Sequence, residues 1–191
     1  MAGPAQSLAL RAAWLAVIAA ALAGCASMPS PIDYGGQARP ETWARPPFDP
    51  NAAPQILRDQ PPLQCVPFAR ARSGIELYGD ANTWWDQAAG RYPRSNLPAP
   101  GSVLVVRGYL DDSRGHVAVV TQIVSSRIIR VDHANWLNRG EISLNVPVLD
   151  VSAQNDWSEI RVWSIPTDAW GARIYQARGF IHPFLLQAAL G

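Results

Sequence analysis

Charge is scarce in this chain. Acidic and basic side chains make up 16% of 191 residues, with 16 Lys and Arg against 15 Asp and Glu and a formal net charge of +1. Holding nucleic acid through its phosphates needs a basic excess or patch. The composition shows no such excess, so no nucleic-acid partner is expected. Long hydrophobic runs are lacking too. The longest, from Ala12 to Ala23, is about a dozen residues, short of the ~20 that a membrane-spanning helix needs. Cysteine occurs only at Cys25 and Cys65, and histidine only at His116, His133 and His182. Two cysteines cannot supply a disulfide framework. What is plentiful is apolar surface: 48% of residues are hydrophobic, eight of them tryptophan. That is enough to build the core of one domain with flanking segments. The tryptophans serve core packing or line a groove where rings and peptides stack.

The first 25 residues read as an export signal, with Arg11 before the apolar run and Leu22-Ala23-Gly24-Cys25 at its end. That ending resembles the lipobox of bacterial lipoproteins, which implies a lipid on Cys25. Ala26 follows where such proteins carry an aspartate for inner-membrane retention, so the resemblance implies the outer membrane, facing the periplasm. Residues 26–62 hold Pro29, Pro31, Pro40, Pro46, Pro47, Pro50, Pro54, Pro61 and Pro62 and show no apolar period. Such a segment is expected to be a semi-rigid tether. With Cys25 lipidated, Cys65 is an unpaired thiol in an oxidising compartment. It is either a buried, inert residue or a reactive one.

The pattern changes at Gln64. Cys65 to Arg72 is expected to form a helix, with Pro67 tolerated in its first turn and Ser73-Gly74 at its end. A second helix is expected at about 81–89, closing at Gly90. Beyond Pro98-Ala99-Pro100-Gly101 come strands: Val103 to Val106, His116 to Val124, Arg127 to Val131 running on to His133, Ile142 to Val148, and Ile160 to Trp163. Helices followed by strands imply an α+β domain, with N-terminal helices packed on an antiparallel β-sheet. The tail from Thr167 carries Trp170, Tyr175, Phe180 and Ile181, which can strap it to the domain, and Phe184 to Leu190 is a possible short helix.

A cysteine hydrolase needs a thiolate, a base beside it, and a polar group that orients the base. Cys65 stands at a helix start, where free N–H groups favour a thiolate and can hold an oxyanion. A neighbouring imidazolium is expected to lower the thiol pKa further, giving an ion pair at neutral pH. Gln64 offers a further oxyanion donor. His116 opens a strand after a Gly-containing turn, a rigid mount for a general base.

Gln64-Cys65-Val66-Pro67-Phe68-Ala69-Arg70, Trp84-Trp85, Pro98 to Val106, Gly115-His116-Val117-Ala118-Val119-Val120 and His133-Ala134-Asn135-Trp136 resemble a CHAP domain. These are cysteine, histidine-dependent amidohydrolases and peptidases. The resemblance covers about residues 63–165 and leaves 166–191 as a C-terminal extension. It implies a papain-like fold, no organic cofactor, and cleavage of peptidoglycan as an N-acetylmuramoyl-L-alanine amidase or an endopeptidase. CHAP domains usually carry a glutamate two residues before the asparagine. His133 fills that slot here, and Asp132 sits one residue earlier. A period of two puts Ile129, Val131, His133 and Asn135 on one face, taken as the face toward the Cys65 helix. His133 is therefore the expected orienting residue, with Asp132 the alternative if the strand bulges. Asn135 is expected to support the ring or the substrate. Arg107, Tyr109 and Trp136 border the site, and His182 is read as surface or packing.

Two other readings compete. Cys65, His116 and His133 are all able zinc ligands, although they lack the tight His pairs that make zinc motifs specific; no metal is expected. A lipoprotein that binds cell wall through a CHAP-like groove, without catalysis, is the second.

Overall fold

The computed structural model describes residues 52–109 and 114–183. The export signal, Cys25, most of the expected tether and the segment Phe184 to Leu190 lie outside the described residues.

In chain order the elements are β1 (Gln55–Leu57), α1 (Cys65–Ser73), a 3-10 turn (Ala81–Thr83), α2 (Trp84–Gln87), β2 (Arg94–Ser95), β3 (Val103–Val106), β4 (His116–Ile123), β5 (Ile128–Ala134), β6 (Ile142–Asp150), β7 (Glu159–Ser164), a second 3-10 turn (Ile165–Thr167), β8 (Ala169–Trp170) and β9 (Tyr175–Ile181). The sheet runs β1-β6-β5-β4-β3-β9-β7-β8, and β6 also pairs with β7. That extra pairing closes β6, β5, β4, β3, β9 and β7 into a six-stranded antiparallel barrel. The expectation of an α+β, papain-like domain with helices packed on an antiparallel sheet is thereby corrected. The described chain is mostly β, and its two α-helices are short. The expected helix over 81–89 shrinks to the 3-10 turn and the four residues of α2.

Closure also explains why these strands lack a clean alternation. All four residues of β3 are buried, as are His116 to Thr121 of β4, because both faces of these strands are covered. Leu104, Val106, Ala118, Val120, Ile129 and Val131 point into the barrel with Trp157 and Phe180. On the outer face, Val103, Val105, Val117 and Val119 pack against Ala69 of α1, with Ile75, Leu77 and Trp84. Phe68 fills a third cluster with Ala134 and Ile142.

The end of the expected tether is engaged with the barrel. β1 pairs with β6 from Gln55↔Leu144 to Leu57↔Ile142. The Ala52 carbonyl accepts from Asn145 Nδ2 at 2.6 Å, and Leu63 N donates to Gly140 O at 2.8 Å.

β9, in the segment expected to be an extension, is a barrel stave between β3 and β7. Its register against β3 shifts between Gly179 and Ala177, a bulge of the kind that bends a strand for closure. Gly179 has φ +127°, and a Cβ there would meet Ser95 O at 2.5 Å and the Trp85 ring at 2.9 Å. Gly179→Ala should therefore lower folding stability by about 3 kcal/mol, through strain and overpacking. Urea denaturation followed by tryptophan fluorescence measures this, and a change within error would refute the close approach.

Candidate active site

Cys65 is the first residue of α1. Gln64 precedes it with φ −81° and ψ 155°, extended backbone that caps no N–H with its side chain. The first-turn amides are thus left to the thiol: N–H groups of Val117, Val66 and Cys65 itself reach the sulfur. Val117 follows His116, so the sulfur lies against the start of β4. The helix closes as expected, with Gly74 at φ +78° donating to Arg70 O at 2.9 Å.

His116 and His133 meet ring to ring. His116 Nε2 lies 3.1 Å from His133 Nδ1, and the ring centroids are 5.1 Å apart, edge on. The alternation of β4 and β5 accounts for this. His116 precedes Ala118 and Val120, and His133 follows Ile129 and Val131, all of them facing the barrel interior. His133 therefore meets His116 from inside the barrel. The expectation that this face looks toward α1 is corrected: it looks into the barrel. Trp136 covers the pair, 4.8 Å from the His116 ring and stacked 5.6 Å from His133.

Asp132 points the other way. Its carboxylate pairs with Arg72 of α1 and accepts from Asn145 N at 2.8 Å. A bulge does occur beside it, but the extra residue is in β6, where Asn145 has φ +60°. Asp132 is therefore engaged between α1 and β6, away from the imidazoles. Asn135 does not continue the inner face of β5. The strand ends at Ala134, and Asn135 takes φ +59°, a conformation asparagine tolerates better than most residues. Its Nδ2 donates to Gln64 Oε1 at 2.7 Å. The Gln64 amide is thereby oriented with its NH₂ free to donate, which suits the oxyanion role better than an unsupported side chain would.

Burial sets the proton states. It pushes the Cys65 thiol up from 9.0, against the smaller opposing effect of the Val117, Val66 and Cys65 N–H groups. Burial, and then the charge of His133, hold His116 well below 6.5. His133 is pushed down to about 3 by burial. The expected thiolate–imidazolium pair is accordingly disfavoured at rest, and neutral pH favours a thiol and a neutral imidazole. In its Nε2–H tautomer a neutral His133 keeps a lone pair on Nδ1 and can accept the Nε2–H of His116. That arrangement leaves His116 Nδ1 unprotonated.

Of the other bordering residues, Tyr109 is half exposed and packs 5.6 Å from Tyr175, which in turn packs 4.9 Å from Trp136. Arg107 is exposed, and its backbone N donates to Gln176 O at 2.8 Å. His182 is fully buried, with Nε2 2.8 Å from Ser95 Oγ, a packing residue remote from the pair in its contacts. Among the described residues, no group of three or more His, Cys, Asp or Glu is disposed to hold a metal ion. Tyr175 was not foreseen as a neighbour of the site. Its signal was the alternation Tyr175-Gln176-Ala177-Arg178, which marks a strand.

Residues 58–135 match the family model of the CHAP domain. That segment is similar to CHAP domains. The matched stretch runs from before α1 to Asn135 and so takes in Gln64, Cys65, His116 and His133. CHAP domains are typically hydrolases, of peptidoglycan-hydrolase or amidase type, and the family implies a peptidoglycan substrate. No curated protein matches the chain.

The burial of Cys65 and His116 has a measurable consequence. In a Cys25→Ser protein, where one thiol reports, alkylation by iodoacetamide should accelerate with pH through 9.0 and beyond. A rate plateau at about pH 6–8, as an ion pair gives, would refute the neutral resting state.

Proposed function

We propose that this protein hydrolyses an amide bond of peptidoglycan, as an N-acetylmuramoyl-L-alanine amidase or an endopeptidase. Cys65 is the nucleophile, His116 the base, and His133 the group that orients it. The observation that carries this reading is the 3.1 Å contact between His116 Nε2 and His133 Nδ1, beside a thiol whose sulfur meets the N–H of Val117. With Nε2 committed to His133, Nδ1 is the nitrogen left for the thiol proton.

The steps follow from the neutral pair. As the sulfur attacks the amide carbonyl, His116 Nδ1 takes the thiol proton, and the imidazolium stays hydrogen-bonded to neutral His133. The negative oxygen is met by helix N–H groups and the free NH₂ of Gln64. The C–N bond then breaks while His116 returns the proton to the leaving amine. Water, deprotonated by His116, hydrolyses the thioester and restores the thiol. Asn135 acts by holding Gln64. The neutral resting pair also favours a second reading, a CHAP groove that binds wall without cutting it.

Digestion of purified sacculi by the mature protein separates the two. Muropeptides or stem peptides should be released, and Cys65→Ala and His116→Ala should each lose about 10³-fold or more in rate. Gln64→Ala should lose about 10²-fold in kcat. Co-sedimentation with sacculi, with no product by mass spectrometry, would replace the enzyme reading by the binding one.

The export reading belongs to the same proposal: a lipid on Cys25 holds the domain at the outer membrane, facing the periplasm and within reach of wall. Labelled palmitate should enter the wild-type protein and be absent from Cys25→Ala. Equal labelling of the two would remove the anchor.

A further inference from the structure

Outside the family-matched segment, residues 162–175 contribute one side of a cavity of about 370 Å³, at the lower end of the ~300–1,000 Å³ typical of small-ligand sites. His133 and Trp136 line one side, with Trp163, Ile165, Arg173 and Tyr175 among the residues of the other. Val146 and Val162, also in the lining, belong to the barrel core, so the cavity sits at the barrel mouth. It begins one ring away from His116, since the rings of His133 and His116 are 5.1 Å apart.

The lining selects among ligands. It is chiefly aliphatic and aromatic, and a sugar ring with hydroxyls around its edge would leave most of them without partners. Two polar features stand out. Arg173 is exposed, with its guanidinium 4.4 Å over the Tyr109 ring, and no carboxylate pairs with it among the described residues. Asn138 donates through Nδ2 to Ser143 Oγ at 3.2 Å, while its buried Oδ1 has no partner. The ligand called for has an apolar body, a carboxylate for Arg173 and an N–H for Asn138. A peptide residue with a carboxylate on an aliphatic side chain has all three.

We propose that this cavity is a subsite for an acidic stem-peptide residue, with Arg173 recognising its carboxylate. The proposal rests on the hydrolase reading above and adds the specificity determinant. Residues 162–175 supply that determinant from outside the CHAP match, so the subsite is a feature of this chain's own C-terminal strands.

The test is steady-state hydrolysis of a soluble stem peptide with free carboxylates, and of the same peptide carboxamidated, alongside sacculi. Wild type should prefer the free-carboxylate peptide. Arg173→Gln should raise KM for that peptide about tenfold, the loss of one charge-assisted hydrogen bond, with kcat within about twofold and the preference abolished. Arg173→Lys should restore part of the preference. Trp163→Ala should raise KM for both peptides, and Arg178→Gln, an exposed change of the same charge on β9, should alter neither. A KM for Arg173→Gln equal to wild type overturns the subsite. A wild-type protein that cleaves neither peptide nor sacculi overturns the hydrolase reading instead. In that event calorimetry of the free-carboxylate peptide with Cys65→Ala decides the subsite separately: adding Arg173→Gln must weaken binding about tenfold, and unchanged binding, or none at all, refutes it.

Discussion

The closed barrel has an inside, and two histidines stand at one end of it. Every electrostatic property of the site follows from that placement. An imidazole in an apolar enclosure resists protonation, which keeps His133 neutral, its pKa pushed down to about 3. In the tautomer where His133 accepts, His116 carries its proton on Nε2 and presents a bare Nδ1. A carboxylate in the position of His133 would favour the imidazolium and draw the thiol toward its anion. A histidine there holds the ring just as firmly but offers no charge to offset the cation. Positioning and ionisation, joined in a His–carboxylate pair, are separated here.

The same closure explains what could be read from the sequence and what could not. Cys65 at a helix start, His116 at a strand start and the strands from Val103 to Trp163 were legible because each rests on a local signal: a cap, a turn, a run of β-branched residues. β9 was not legible. Its alternation from Tyr175 to Arg178 is only four residues long before Gly179, and Gly reads locally as a break. In the fold this is the bulge at which the strand bends between β3 and β7. Without β9 the remaining strands make an open sheet, for which helices are the natural cover. Barrel closure depends on one stave far along the chain, so no window of sequence around the other strands could reveal it.

The site residues show a related limit. Alternation correctly separated His133 from Asp132 but could not say which face is inside. The presumption that α1 lies on the His133 side is natural for an open sheet with a single covered face. In a barrel both faces of β5 are buried, and the helix takes the outer one. Asn135 failed for another reason, since the alternation ends one residue before it. A left-handed asparagine sends its side chain where no strand rule applies, here onto Gln64.

Asp132, turned away from the paired imidazoles, holds a different contact. Arg72 lies near the C-terminal end of α1, while Cys65 is its first residue, so the Arg72–Asp132 pair holds the far end of the helix that carries Cys65. Asp132 adjoins His133 in β5. One strand therefore supplies the orienting imidazole on its inner face and the helix anchor on its outer face. A sliding of α1 along the barrel would have to break an ion pair whose side chains are 14% and 4% exposed. Separating a buried pair leaves each charge without its partner, at a cost of roughly 3–5 kcal/mol. Exclusion of water at β5 thus does two things at once: it keeps the inner histidine neutral and makes the outer ion pair costly to open. The helix of Cys65 and the ring of His133 are thereby both held by β5.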